Sequence, residues 1–440
     1  MSPFKKIATA LVILVFCLLL SSLTLPSWGG GIAQTEGEMS SAVVASPVSF
    51  TFPWKRGSTA GADEASSSAV AEPVSTPEPT PSPTPSPIPV LGVSYPWNTE
   101  SLTLKLKSAD VSSVLSSLSS FPNLTHLTIP ADPADPSSFT ASDFITLSKA
   151  LPQTEINCTF DLYSQRLNTV STTRLEYLQT PIGDLGLDVF WRLLPYLHHL
   201  AYLSFDRCDT TDEACANLRD AFPNTEIVWR VYFSPFSCMT DIETIWASVD
   251  LRDETCSSLK YCTKVKNLDI GHSAMTDLSF LDYMPDLEVL IIACSDFEDI
   301  SHVASCKNLK YLEVCECFRL KDLSPIAELK NLEHLNVGDL MVSDISCLYS
   351  LTECKNLKRF YAPNMRNYEL DMEKEEGIFR TLLPGVEMDF SKTYMGLGSL
   401  NGHWRYVDGF NGGTYTEPYR RIREIFRYED GIMSQPRLLY

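Results

Sequence analysis

Between Val265 and Phe360 the apolar positions return at a near-fixed interval. The openings fall at Val265, Leu287, Leu309, Leu332 and Leu357, in steps of 22, 22, 23 and 25 residues. Each runs apolar-x-x-apolar-x-apolar: Val265, Leu268, Ile270; Leu287, Leu290, Ile292; Leu309, Leu312, Val314; Leu332, Leu335, Val337. The fifth weakens to Leu357, Phe360, Ala362. Alternation over so short a stretch predicts a strand with one face turned inward. A period of this length predicts stacked coils, each burying its apolar face against its neighbours. The first four openings are followed by Asp-(Leu or Ile)-Ser, at Asp277, Asp299, Asp322 and Asp344. An aspartate there is expected to accept the free backbone N–H groups of the turn or short helix that follows. Calcium is the rival reading for this column, but one carboxylate per coil lacks the dense oxygen set that calcium takes.

Upstream the units lengthen and gain helices. Leu102, Leu104 and Leu106 alternate as a strand, Val111 to Leu118 read as a short helix, and Leu124-x-x-Leu127-x-Ile129 and Leu200-x-x-Leu203-x-Phe205 repeat the signature. Thr140-Ala141-Ser142-Asp143 reads as a capping box before Phe144, Leu147 and Leu151; Thr210-Thr211-Asp212-Glu213 does the same before Ala214, Leu218 and Phe222. Both helices run into proline, at Pro152 and Pro223, and Pro384 echoes them. Proline ends each helix, and the β-prone residues beyond start the next strand. The expected order is therefore long helix-bearing repeats over 95–233, short repeats over 234–390, and a cap over 391–440. In that cap Thr416 and Pro418 open a helix striped by Tyr419, Ile422 and Phe426, while Trp404, Tyr406 and Phe410 cover the last coil. A competing view makes it a basic surface-adhesion module using Arg405, Arg420, Arg421, Arg423 and Arg427.

The N-terminus reads as a targeting signal. Lys5 and Lys6 precede an apolar run from Ile7 to Leu20, and Gly31-Ile32-Ala33 supplies small residues for cleavage after Ala33. The alternative is an uncleaved anchor stretched to Leu25, against which Ser21, Ser22 and Pro26 speak. Lipidation at Cys17 is disfavoured by bulky Phe16 beside it. Residues 34–94 form a disordered Pro/Ser/Thr-rich tether in which every second residue from Pro77 to Pro89 is proline. Such a run takes extended polyproline geometry of about 3.1 Å per residue, a stalk on the order of 40 Å.

A formal charge of -20 argues against nucleic acid, which needs concentrated Lys and Arg. Of the cysteines, Cys262, Cys306 and Cys354 each stand three residues before an opening, where other units have Met284 and Leu329. That slot is a buried apolar one, and free cysteine behaves as a small hydrophobe. Scattered disulfides are the alternative in an exported chain. Cys315-Glu316-Cys317 has no second Cys/His pair, so metal is not expected. His198-His199 reads as a surface pair, and the run Glu373, Lys374, Glu375, Glu376 as solvated. There is no His-Glu-x-x-His, Gly-x-Ser-x-Gly or phosphate loop, so no enzyme and no cofactor is expected.

From about residue 100 to 390 these motifs resemble leucine-rich repeat proteins. The stretch from Val265 to Leu348 resembles the short internalin-like class, and the long units the ribonuclease-inhibitor type. With the signal and stalk, the whole resembles secreted leucine-rich repeat proteins of Gram-positive bacteria. The resemblance implies an α/β solenoid with a parallel sheet on its concave face. It also implies an asparagine inside each turn, where this chain has Ser273, Ser295, Cys317 and Leu340. Leucine cannot bond the turn backbone, so an irregular turn is expected near Gly338-Asp339.

Residues between the signature leucines should face outward on that sheet. They are Asn267, Val289, Tyr311, His334 and Arg359 in one column, Asp269, Ile291, Glu313, Asn336 and Tyr361 in the next, and Tyr202 and Ser204 in the earlier unit. Tyrosine, arginine and exposed aliphatics are interface anchor types. The expected function is a non-catalytic extracellular module, secreted or at the cell surface, that binds a protein through this strip. A cell-envelope carbohydrate binder is the alternative, an undetected enzyme the third. Membrane contact would run only through an uncleaved N-terminal segment.

Overall fold

A computed structural model describes residues 86–391, save 133, 136, 234, 249, 250 and 368, together with 404–405 and 414–430. The expected signal, anchor, Cys17 and tether up to residue 85 lie outside the described residues, as do Tyr406 and Phe410. No helix among the described residues is long and apolar enough to cross a membrane.

The fold begins earlier than the sequence suggested. β1 (Ile88–Val90) and β2 (Val93–Tyr95) form an antiparallel hairpin. Leu91 and Gly92 both take positive φ, the two-residue turn that matches strand twist. Val90 is buried, and the hairpin packs on α1 (Ser108–Leu118), so the last residues assigned to the tether belong to the folded body.

Two four-stranded sheets make the long-repeat half. β3 (Ser101–Thr103), β4 (His126–Ile129) and β5 (Glu155–Leu162) run parallel, and β6 (Gln165–Asn168) turns back antiparallel to close the first. β7 (Arg174–Leu178), β8 (Tyr202–Asp206) and β9 (Glu226–Phe233) repeat the plan, closed by antiparallel β10 (Phe236–Met239). Helices α2 (Ala141–Ala150), α3 (Gly183–Leu193) and α4 (Asp212–Ala221) lie between strands. The Thr140 capping box is formed, with Thr140 N–H donating to Asp143 at 2.8 Å, and Thr211 caps α4. β3 stops at Thr103, yet Leu104 and Leu106 are still buried.

The short-repeat half is one sheet of seven parallel strands: β11 (Thr244–Trp246), β12 (Asn267–Asp269), β13 (Val289–Ile291), β14 (Tyr311–Glu313), β15 (His334–Asn336), β16 (Arg359–Tyr361) and β17 (Glu387–Asp389). Register places Leu268, Leu290, Leu312, Leu335 and Phe360 side by side, all fully buried. Between strands the chain makes 3₁₀ turns such as Ser279–Tyr283 and Ser301–Ser305, one α-helical turn at Asp253–Cys256, and a longer helix, α5 (Met372–Leu382). Four of the turns are opened by the recurring aspartate. Asp277, Asp299, Asp322 and Asp344 accept the N–H of the serine two residues on at 2.7–2.8 Å. Cys262, Cys306 and Cys354 close these turns and are buried as expected.

The turn at Asp339 is regular, contrary to expectation. His272, Cys294, Glu316, Asp339 and Asn364 occupy the same place in successive coils with φ of 51–59°. The N–H of each of the first four donates to a carbonyl of the next coil, Asp339 to Pro363 at 2.9 Å. Backbone pairing therefore shapes the turn and a side-chain donor is dispensable, leaving Leu340 free to join the core. Gly338 is required there, because a Cβ would lie 2.8 Å from Pro363.

Candidate functional site

The sheet β11–β17 offers two outward columns. One reads Thr244, Asn267, Val289, Tyr311, His334, Arg359, Glu387; the other Trp246, Asp269, Ile291, Glu313, Asn336, Tyr361, Asp389. The register aligns ten of the eleven expected site residues on this floor. Tyr202 stands apart on β8.

Most of them are buried, which corrects the expectation of an exposed strip. Tyr311 is 4% exposed, Tyr361 2% and Glu313 0%; Asp269, Val289, Ile291, Asn336 and Arg359 are buried with them. Asn267 and His334 are half-buried. The cover is the chain's own C-terminal segment. α6 (Glu417–Phe426) follows Thr416 with Pro418 in its first turn and ends at Arg427 in the left-handed region. Its stripe of Tyr419, Ile422 and Phe426 packs with Trp404 on Val289, Ile291, Tyr311 and Tyr361. The helix was expected; its place was not. Trp404 covers this floor instead of the end of the last coil.

Polar groups fix the segment at three points. The Trp404 indole N–H donates to the Tyr311 hydroxyl at 2.8 Å, and the Arg359 guanidinium lies 4.7 Å from the Trp404 ring while donating to its carbonyl at 3.0 Å. Arg405 donates as a fork to both Glu313 oxygens, at 3.1 and 2.8 Å. That geometry suits guanidinium and carboxylate, and it gives a fully buried carboxylate its counter-charge. At the far end the Tyr428 hydroxyl donates to Asp269 at 2.5 Å, and the Tyr428 ring meets Trp246 edge-on at 4.7 Å. Burial pushes the Asp269 carboxyl up to about 6, although the bonds from Tyr428 and the Gly271 N–H and the Arg405 charge pull the other way. Burial, with the Arg359 charge beside it, pulls His334 down to about 4.

Some floor residues serve the turns as well. Asp269, Asn336 and Asp389 each accept the N–H two residues on, from Gly271, Gly338 and Ser391. Asn267 donates to Thr244 at 3.0 Å. In the other half Tyr202 is half-buried, with the Arg174 guanidinium 3.5 Å from its ring centroid. Of the arginines in the adhesion view, Arg405 is committed to Glu313, Arg421 pairs with Glu417, and Arg423 stacks on Tyr415 and pairs with Glu429. Among the described residues no group of three His, Cys, Asp or Glu converges as metal ligands would.

Sequence reasoning missed Trp246, Tyr415 and Tyr428. A signal for Trp246 existed: Ile242, Ile245 and Ala247 keep the repeat spacing one unit earlier, and all three are buried. Nothing periodic marks Tyr415 or Tyr428.

No protein-family model and no curated protein matches the chain. Solved structures do. An internalin (inlF) from Listeria monocytogenes is similar at 17% identity and a TM-score of 0.30, over 69% of this chain and 86% of that one. An internalin C2 (inlC2) from the same organism is similar at 19% identity and 0.28, over 53% and 87%. A TLR13–ssRNA13 complex is similar at 14% and 0.24, over 69% and 37%. The leucine columns, parallel register and repeated turn make this chain a leucine-rich repeat solenoid.

Proposed function

We propose that this chain is a non-catalytic, exported binding module that recognises a protein through the concave side of its solenoid. The observation that carries the reading is the short-repeat floor. It holds a helical segment by burying tryptophan, tyrosine, isoleucine and phenylalanine around a forked arginine–carboxylate pair. Aromatic and arginine anchors in desolvated pockets are how proteins hold proteins. The carbohydrate alternative has less aromatic surface to use, since one face of Tyr202 is taken by Arg174. Net charge of -20 speaks against a nucleic-acid partner.

The test is capture from cell-surface extracts by the full chain, compared with Tyr202→Ala and His334→Ala, both at half-buried concave positions. A protein retained by the wild type and weakened at least tenfold by either variant supports the reading. Retention of protease-resistant glycan in place of protein would establish the alternative.

A further inference from the structure

We infer that Trp404, Arg405 and residues 414–430 form a ligand in cis: they occupy a groove built for an amphipathic helix, and a partner helix of the same chemistry displaces them. This rests on the protein-binding reading above and names the partner's chemistry. Such a helix carries aromatic and aliphatic side chains at the spacing of Tyr419, Ile422 and Phe426, with an arginine placed to reach Glu313.

The apolar side chains divide in a way that supports removal. The solenoid core is one continuous cluster on the inner side of the strands, and the groove residues form a second cluster with the segment. Taking the segment away opens only the second. The leucine columns and the strand-to-strand bonds do not depend on it.

The buried charges divide in the same way. Glu313 and Asp269 lie on the groove floor, so undocking returns both carboxylates to water and strands neither. Asp339 is the contrast: its partners Asn364 and Arg366 come from the solenoid itself, so it stays paired whether or not the segment is present. The segment belongs to the same chain, so a competing partner must displace an intramolecular ligand.

The experiment uses a fluorescent peptide of residues 404–430, titrated into the full chain and into the full chain carrying Trp404→Ala and Arg405→Glu. The variant weakens the resident segment and leaves the groove intact, so it should bind the peptide at least tenfold more tightly than the wild type. Adding Glu313→Gln to that variant should remove about tenfold again. Equal affinity for wild type and variant, or binding by neither, overturns the proposal. Hydrogen exchange on the unmodified chain provides a check independent of any substitution. Amides of Glu417–Phe426 should exchange at least a hundredfold faster than those of β13–β15; equal protection would make the segment an integral part of the fold and end the proposal. The peptide reports on the groove alone. If the tenfold difference holds while extracts yield no protein, the cis ligand stands and the external partner fails.

Discussion

The long-repeat and short-repeat halves stack strands in the same parallel register, yet among the described residues only the short half has its concave face filled. In the long half each sheet stops at four strands because an antiparallel hairpin turns the chain back, at β6 and at β10. The two modules are built alike: Thr154 and Thr225 each donate to the carbonyl of a leucine in the preceding unit, and Thr169 and Thr240 accept the N–H of Cys158 and Trp229 across the hairpin. The short half has no hairpin, so seven strands continue for roughly 29 Å at the usual strand spacing. A ten-residue helix needs about 15 Å. The short half thus offers a floor about twice as long as a four-stranded sheet of roughly 14 Å, with room for α6 and for Trp404. The lesson is that repeat regularity here sets the area of usable floor.

The comparison can be broken hardest in the core column. Phe360 is fully buried and meets Phe379 and Phe390 edge-on at 4.8 and 5.4 Å. Phe360→Ala should cost about 3–5 kcal/mol in denaturant unfolding. Leu178→Ala, at a long-half position 62% exposed, should stay within about 0.5 kcal/mol. Similar losses at the two positions would mean the coils are not organised around these columns.

The next largest effect concerns charge. Glu313→Ala leaves Arg405 without its fork; because the Arg405 side chain keeps 32% exposure, the expected loss of segment docking is about 1–3 kcal/mol. Glu288→Ala removes the partner of Lys310 from an open pair on the same coils and should cost less than about 0.5 kcal/mol. Unfolding and hydrogen exchange on the two variants decide between a pair that anchors the segment and one that merely decorates the surface.

Acidity sharpens the comparison further, because two floor residues oppose each other. Asp269 is raised to about 6 in the filled groove, so docking takes up a proton and strengthens as pH falls through 6 toward the ordinary carboxyl value. His334 is lowered to about 4, so docking requires the neutral ring and weakens as pH falls through the ordinary histidine value of about 6.5. The wild type should therefore change little between pH 7.5 and 5. His334→Gln should dock more tightly on acidification and Asp269→Asn less tightly, each by at most about tenfold per pH unit. Exchange rates of the α6 amides measured across that range would show it, and matching profiles in the two variants would refute the assignment.

The smallest effect separates cap from fold. Asp299→Ala should cost about 1 kcal/mol, and Thr140→Ala at the capping box of α2 a similar amount. Thermal unfolding of the two checks whether a 3₁₀ turn and a full helix depend equally on their caps.

How much was legible follows from the range of the interactions. The columns, the capping aspartates, the cysteine slot and the helix from Glu417 to Phe426 were all readable, because each rests on contacts that recur at a fixed spacing or lie within one turn. The turn at Asp339 was misread because its side chain was weighed and its backbone partner, Pro363, stands in the next coil. The hairpin at Ile88 was hidden by its prolines: Pro89 can sit in an edge strand, and only the burial of Val90 against α1 shows that it does.

By itself the sequence determined that the chain coils, where each coil begins, and which side chains face the concave side, since strand alternation and a fixed period leave no other arrangement of the leucines. Only the tertiary structure decided whether that face is open. Trp404 bonds Tyr311, Arg405 forks onto Glu313 and Tyr428 reaches Asp269, across separations of 93, 92 and 159 residues. No periodicity encodes such pairs: Arg405 and Glu313 read as unrelated positions in sequence until the fold brings them within 3 Å.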